Sequence, residues 1–322
     1  MDTTLQESAP QFFASRRLAH ANVFVSDYMA ASDFYQRVFG FAEAYRQPDN
    51  LASFMSNGNT YHDFALVDIK SKYARKGQRP GLNHLAFETS SEGELVRSYQ
   101  RARAAGIEFL FTANHDVAYS IYMRDPDGNE VEFYADVVED WVEARKGIII
   151  KKKPEWIPGE TNVPDERHLY HANPSMLRRE DALAQGKRVT HMAIAARDFD
   201  GMYAFYTSVA GLHAVVGDAQ SDCVLLAGSA STGDLALIRA QDDAHAPMHH
   251  IGVEVWSEQD LDAAARGIEA CGGRVLREVD HASRRALSVA DSDGLVLQLY
   301  VNRDWRPEVI RTASAHDLPW LV

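Results

Sequence analysis

Three short stretches of this chain carry residue types that can share one ion. LAHANVFV holds His20 and Asn22, NHLAF holds His84, and NEVEFY holds Glu130, Glu132 and Tyr134. Each stretch alternates like a β-strand, and in a strand residues i and i+2 share a face. His20 and Asn22 therefore point together, as do Glu130, Glu132 and Tyr134. Two imidazoles and one carboxylate on one side of a metal leave the opposite positions open, the facial arrangement that suits non-haem Fe(II) or a related divalent ion. Such a centre requires His20, His84 and Glu132 to converge from three strands of a curved sheet. On spacing alone a second reading stands beside it: both histidines satisfy their hydrogen bonds locally, and Glu132 is a surface strand residue.

The elements that would position these residues are laid out as a repeat. Residues 18–40, LAHANVFVSDYMAASDFYQRVFG, parallel residues 189–211, VTHMAIAARDFDGMYAFYTSVAG. Each reads as an alternating strand, an aspartate at a helix N-cap (Asp27, Asp198), an amphipathic helix, and a glycine (Gly40, Gly211) at the left-handed position that closes it. LNHLAFE at 82–88 parallels MHHIGVE at 248–254, and Ser91 with Glu94 and Ser257 with Asp260 have the spacing of a capping box. RDPDGNEVEFY at 124–134 parallels ADSDGLVLQLY at 290–300, an Asp-Gly turn feeding a strand. The three parallels are offset by 171, 166 and 166 residues, which a tandem duplication with one small indel explains. Within each half the pattern also occurs twice. The expected fold is α+β, with two domains that are each a pair of βαβββ modules, at 1–140 and 187–305. A proline-rich connector at 141–186 wraps or bridges them, and a tail at 306–322 ends in DLPWLV, whose aromatic end suggests docking on a surface.

Composition narrows the classes. A formal net charge of −13 argues against a nucleic-acid binder, which needs a basic excess. The hydrophobic fraction of 46% and charged fraction of 25% are those of a folded globular chain. Cys223 and Cys271 are too few for a disulfide framework, and no apolar stretch approaches the ~18 residues that span a bilayer. The opening MDTTLQESAPQFFASRR lacks a signal-peptide core, so a cytoplasmic protein with no membrane role is expected.

Three further residues extend the constellation. His62 stands in YHDFAL, His115 precedes a strand carrying Tyr122, and Tyr122 comes shortly before DPDGN, which Glu132 follows. In this order His20, Asn22, His62, His84, His115, Tyr122 and Glu132 resemble the vicinal oxygen chelate superfamily and, within it, the type I extradiol ring-cleaving dioxygenases. The resemblance implies the glyoxalase/extradiol dioxygenase fold, with His20, His84 and Glu132 as ligands to Fe(II), Mn(II) being possible on the same set. It implies His62 as acid–base catalyst beside dioxygen and Tyr122 as hydrogen-bond partner of a substrate oxygen. His115 would contact the substrate side, and Asn22 would support the oxygen pocket. The implied partners are a catechol-type substrate and O2, the product a 2-hydroxymuconic semialdehyde or analogue, and the role aromatic hydrocarbon catabolism by a homo-oligomer. Two other classes share such a fold. One is a metal-dependent glyoxalase-like isomerase or lyase, which generally carries an extra glutamate; the other is a metal-free module that binds an aromatic ligand.

The second half is an internal control. His191, His250 and His281 are kept, but Gln298 replaces Glu132, Ala193 replaces Asn22, Gly233 replaces His62 and Ser288 replaces Tyr122. A neutral amide is a weaker donor to a hard cation, so a vestigial second pocket is expected. Extradiol relatives usually keep the active site in the C-terminal half, so this chain departs from them. His168, His171, His213, His245, His249 and His316 have no partner by spacing.

Overall fold

The computed structural model describes residues 12–150, 153–241, 248–314 and 316–322. The N-terminal stretch before residue 12 and His245 lie outside the described residues.

The first module starts with β1 (Arg17–Val25) and α1 (Tyr28–Phe39), followed by β2 (Glu43–Gln47), β3 (Ala52–Met55) and β4 (Phe64–Asp68). Asp27 caps α1 by accepting from the Met29 and Ala30 amides, and Gly40 closes it at φ 72°. The second module is β5 (Gly81–Glu88), α2 (Glu92–Ala104), β6 (Phe111–Asn114), β7 (Ala118–Arg124) and β8 (Glu130–Asp136). β1 runs parallel to β4 and β5 parallel to β8, and the modules join through the antiparallel β1–β5 pair. The connector contributes a short helix, α3 (Trp141–Ala144), and a ninth strand, β9 (Gly147–Ile148), which no hydrophobic period in this segment reveals. The sheet order is β6-β7-β8-β5-β1-β4-β3-β2-β9.

The second half repeats this plan with β10 (Gly186–Ala196), α4 (Phe199–Ala204), β11 (His213–Val216), β12 (Cys223–Ala227) and β13 (Leu235–Arg239). It continues with β14 (Met248–Val255), α5 (Glu258–Gly267), β15 (Arg274–Asp280), β16 (Arg284–Ala290) and β17 (Val296–Asn302). Its sheet order is β11-β12-β13-β10-β14-β17-β16-β15.

Register shifts curve both sheets at matching places. In the β1–β5 pair they fall at Leu18/His20 and Asn22/Val23, and in the β10–β14 pair at Val189/His191 and Ala193/Ile194. A bulge bends its strand and re-aims the neighbouring side chains. In β1 the shifts bracket His20 and Asn22.

The halves are tied by bonds that obey an approximate two-fold relation. Asp63 Oδ1 accepts from the Val189 amide and Asp234 Oδ1 from the Leu18 amide, at 3.0 and 2.7 Å. The Tyr35 hydroxyl donates to Asp291 in one Asp-Gly turn, and the Tyr206 hydroxyl to Asp125 in the other. A single apolar core runs through both halves, including Phe13, Phe39, Phe87, Tyr206, Leu226 and Leu299. Cys223 and Cys271 are free thiols.

Both expected capping boxes are different. Ser91 accepts from the Glu94 amide, but the Glu94 carboxylate turns to Ser98, Arg97 and Arg101 and does not reach back to Ser91. Ser257 makes no cap at all, because its hydroxyl donates to the Asp260 carboxylate at 2.8 Å. Among the described residues no helix is long and apolar enough to cross a membrane.

Candidate active site

His20 on β1, His84 on β5 and Glu132 on β8 meet on the concave side of the first sheet. Their ligand atoms lie within 4.8 Å of one another, and all three residues are buried. His20 Nε2 is 3.2 Å and His84 Nε2 2.9 Å from the same carboxylate oxygen, Glu132 Oε2. Donor atoms about 2.1 Å from one ion and at right angles stand about 3 Å apart, so these spacings fit one face of a coordination polyhedron.

The tautomers point the same way. His84 Nδ1 lies 2.6 Å from Asn83 Oδ1, an acceptor, so the proton sits on Nδ1 and the Nε2 lone pair faces the carboxylate. Two lone pairs 2.9 Å apart need a cation or a proton between them. Glu132 Oε1, moreover, is buried with no hydrogen-bond partner. This donor set fits a divalent ion and would be poorly satisfied as a structural cluster. Burial alone would raise the Glu132 pKa, but His20 and His84 hold it well below the usual carboxylate range. Burial lowers that of His20, against the pull of Glu132.

The other expected residues ring this face. Asn22 Nδ2 donates to His84 Nε2 at 2.9 Å, the lone pair that an ion would take. Asn22 Oδ1 accepts from the Ala65 amide and lies 3.2 Å from His62 Nε2. Because that oxygen only accepts, His62 carries its proton on Nε2, and its Nδ1 accepts from the Tyr45 hydroxyl at 3.4 Å. Burial, then the neighbouring His20, hold the His62 pKa well below its ordinary value, so the ring is neutral. Across the site His115 Nε2 is 3.0 Å from the Tyr122 hydroxyl. Burial, then Glu132, push the Tyr122 phenol well above its ordinary range, so it keeps its proton.

A cavity of about 450 Å³ opens onto these groups. Phe24, Phe54, Leu82 and Phe111 give it an apolar side, and Phe111 stacks on Tyr122 with ring centroids 4.3 Å apart. Among the lining residues that the sequence reading missed, Tyr45, Arg145 and Lys153 bear directly on the histidines. Lys153 Nζ donates to His115 Nδ1 at 2.9 Å and Arg145 Nη1 donates to the His115 carbonyl at 2.6 Å. An ammonium has no lone pair, so His115 Nδ1 accepts and its proton lies on Nε2, aimed at Tyr122. The KKKPEW run was the available signal for Lys153, but it carries no period that would place it on the sheet.

The second half holds its counterpart residues in a different state. His191 and His250 face each other with ring centroids 5.6 Å apart, and the Nε2 atoms of both are buried without a partner. Gln298 donates to the Trp320 carbonyl, the Trp320 indole stacks on His250 at 5.3 Å, and the buried Arg284 donates to the Val322 carbonyl. The tail is thus inserted among the histidines and is not laid on an outer surface. His281 bonds locally to Ser283, His249 to His250, His168 to Tyr170, His171 to the Glu139 carbonyl and His316 to Arg277. His213 is exposed on β11.

A family model described as the glyoxalase/bleomycin resistance protein/dioxygenase superfamily matches residues 17–133 and 188–299. Biphenyl-2,3-diol 1,2-dioxygenase 3 of Rhodococcus globerulus is 33% identical over 122 residues, which are 37% of this chain and 63% of that protein. The chain thus spans somewhat less than two thirds of that relative. Catechol-2,3-dioxygenase of Bacillus subtilis strain 168 is 24% identical over 241 residues, covering 74% of this chain and 75% of the relative. Among solved structures, the 2,3-dioxygenase LapB from Pseudomonas sp. KL28 superposes with a TM-score of 0.64 at 16% identity, over 92% of this chain and 97% of its own. The Mn(II)-bound glyoxalase from Novosphingobium aromaticivorans gives a TM-score of 0.63 at 15% identity, over 90% and 84%. At such identities the structural likeness speaks for the fold alone.

Proposed function

The chain belongs to the glyoxalase/bleomycin resistance protein/dioxygenase superfamily, and from that premise we propose that it is an Fe(II)-dependent extradiol dioxygenase acting on a catechol. The observation that carries the reading is one cavity lined by His84, Glu132, His62, Asn22, Tyr122 and His115, with the buried His20 completing the donor set 3.2 Å from the Glu132 carboxylate.

When bound, the ion supplies a centre at which two adjacent ring oxygens and dioxygen meet and through which electrons pass from ring to dioxygen. His20, His84 and Glu132 hold it from one side and leave the cavity side open. His62, neutral and carrying its proton on Nε2, is poised to give that proton to reduced oxygen and to take one back from substrate. Asn22 orients that proton through the Oδ1 contact, and Tyr45 fixes the other end of the ring. Tyr122 accepts from His115 and keeps its own hydroxyl hydrogen to donate to a substrate oxygen. The apolar side of the cavity orients the ring and keeps bulk water from the reacting atoms.

An isomerase of the same superfamily would use a further carboxylate as ligand and base. The nearest candidate lining the cavity, Glu130, is paired with Arg75 and Arg124. The test is aerobic assay of protein loaded anaerobically with Fe(II), and separately with Mn(II), against catechol, 3-methylcatechol and 2,3-dihydroxybiphenyl. A yellow ring-opened product is expected with Fe(II). No turnover of any catechol, with Zn or Ni retained instead, would remove the reading.

A further inference from the structure

The cavity holds more positive charge than the expected chemistry accounts for. Arg145 is 4% exposed, its guanidinium sits 4.6 Å from the Tyr45 ring centroid, and its Nε is buried without a partner. Lys153 reaches the same wall through the His115 ring. Both line the cavity, and among the described residues neither forms an ion pair with a carboxylate. Asp116 and Glu132 act on Lys153 only at longer range. Other cations of this acidic chain are matched by carboxylates, among them Arg17 by Glu88, Arg46 by Glu43 and Arg75 by Glu130, whereas in the second half Arg284 is buried against Gln298, the Val322 carbonyl and the Tyr300 ring.

Formal charges make the surplus explicit. A divalent ion with neutral His20 and His84 and ionised Glu132 carries one positive charge. Arg145 and Lys153 raise the local sum to three, and a catechol bound as a mono- or dianion leaves at least one. An unmatched charge away from bulk water is costly, so the wall is built for a further anion. The Arg145 guanidinium spends Nη1 on the His115 carbonyl, its planar geometry suits a planar two-oxygen acceptor, and Lys153 adds a point charge beside it.

We propose that the substrate is a catechol bearing a carboxylate, on the ring or on a short side chain, held by Arg145 and Lys153 on the His115 side of the cavity. The proposal rests on the ring-cleavage reading of the same site and adds the substrate class to it. It also gives the connector a task, since both cations lie within residues 141–186, on either side of β9.

The test compares kcat/KM of the iron-loaded full chain for two acids, 3,4-dihydroxyphenylacetate and 3-(2,3-dihydroxyphenyl)propanoate, with two neutral analogues, 4-methylcatechol and 3-ethylcatechol. At least one acid should exceed both neutral analogues by roughly ten- to a hundredfold, mainly through KM, as expected for a buried charged contact. Anaerobic titration calorimetry should rank the ligands in the same order. In Lys153→Met the preference should fall at least about tenfold toward unity, and Arg145→Met provides a second variant should the first fail to fold. Neutral catechols cleaved as well as either acid would overturn the substrate class while leaving ring cleavage intact. Failure to cleave either class would remove both.

Discussion

Glu132 is ionised where burial alone would neutralise it, because two imidazole nitrogens stand 3.2 and 2.9 Å from one of its oxygens. Replacing it by glutamine keeps the shape and removes the charge, which is the state the second half already holds at Gln298. Glu132→Gln should therefore lose its divalent metal on gel filtration, and, by removing a buried charge supported by two imidazoles, should cost the metal-free fold about 3–5 kcal/mol; metal analysis and urea denaturation read the two effects. Lys153 is the opposite case, a cation whose proton the fold weakens. Burial, then Arg145, bring its pKa down from 10.5 to about 8. Below about pH 8 both folded and unfolded chains carry the proton, and the buried ammonium destabilises the fold fully. Between about 8 and 10.5 the unfolded chain holds a proton the folded chain has released, so stability attributable to this group rises with pH. Metal-free Lys153→Met should thus be more stable than the parent at pH 7, and the gap should close toward pH 10. A gap independent of pH would show that the lysine is not paying this cost.

At the scale of elements, the two-fold related ties decide how the turns that feed the site strands are held. The Tyr206 hydroxyl donates to Asp125 Oδ2 at 2.9 Å, and Asp125 also accepts from Asn129 in the turn leading into β8 and Glu132. Tyr35 does the same to Asp291 at 3.2 Å in the other half. Tyr206→Phe and Tyr35→Phe should each cost about 1–3 kcal/mol in urea denaturation, because each leaves a largely buried carboxylate short of a donor. Their effects should add in the double variant, the two bonds sharing no partner. These elements were legible in the sequence wherever the signal was local. Asp27, Gly40 and the alternation through His20 and Glu132 each report on a few adjacent residues, and the duplication let one half check the other. Ser257 was misread because the same spacing serves a cap or a hydroxyl bond to Asp260. Arg145, Lys153 and β9 were not legible, since their segment has no period and is placed by distant contacts. Trp156 stacks on Tyr119 with centroids 4.7 Å apart, and Glu92 holds Asn162 and the Asp165 amide.

Across the whole molecule the duplication is symmetric in its sheets, ties and bulges, and asymmetric in what fills each concave face. The first face opens to a cavity lined by His62, Tyr122 and the connector's cations. The second is entered by the tail, with Trp320 stacked on His250, and by Arg284, buried over the Tyr300 ring at 4.0 Å. Arg284 Nη1 lies 3.5 Å from Gln298 Oε1. A cation there repels a divalent ion directly, and a carboxylate introduced at position 298 would pair with Arg284 before it could bind metal. Reconstituted protein should accordingly hold about one equivalent of Fe(II) or Mn(II) per chain, the number set by one complete donor set. His20→Ala should reduce this to background, the double variant His191→Ala with His250→Ala should leave it unchanged, and Gln298→Glu alone should not add a second equivalent. Two equivalents in the parent, falling to one in the double histidine variant, would mean that the tail yields to metal and that the second face is a working site. Retention of one equivalent in all but His20→Ala would instead fit a second copy that keeps its histidines as buried packing partners of Trp320.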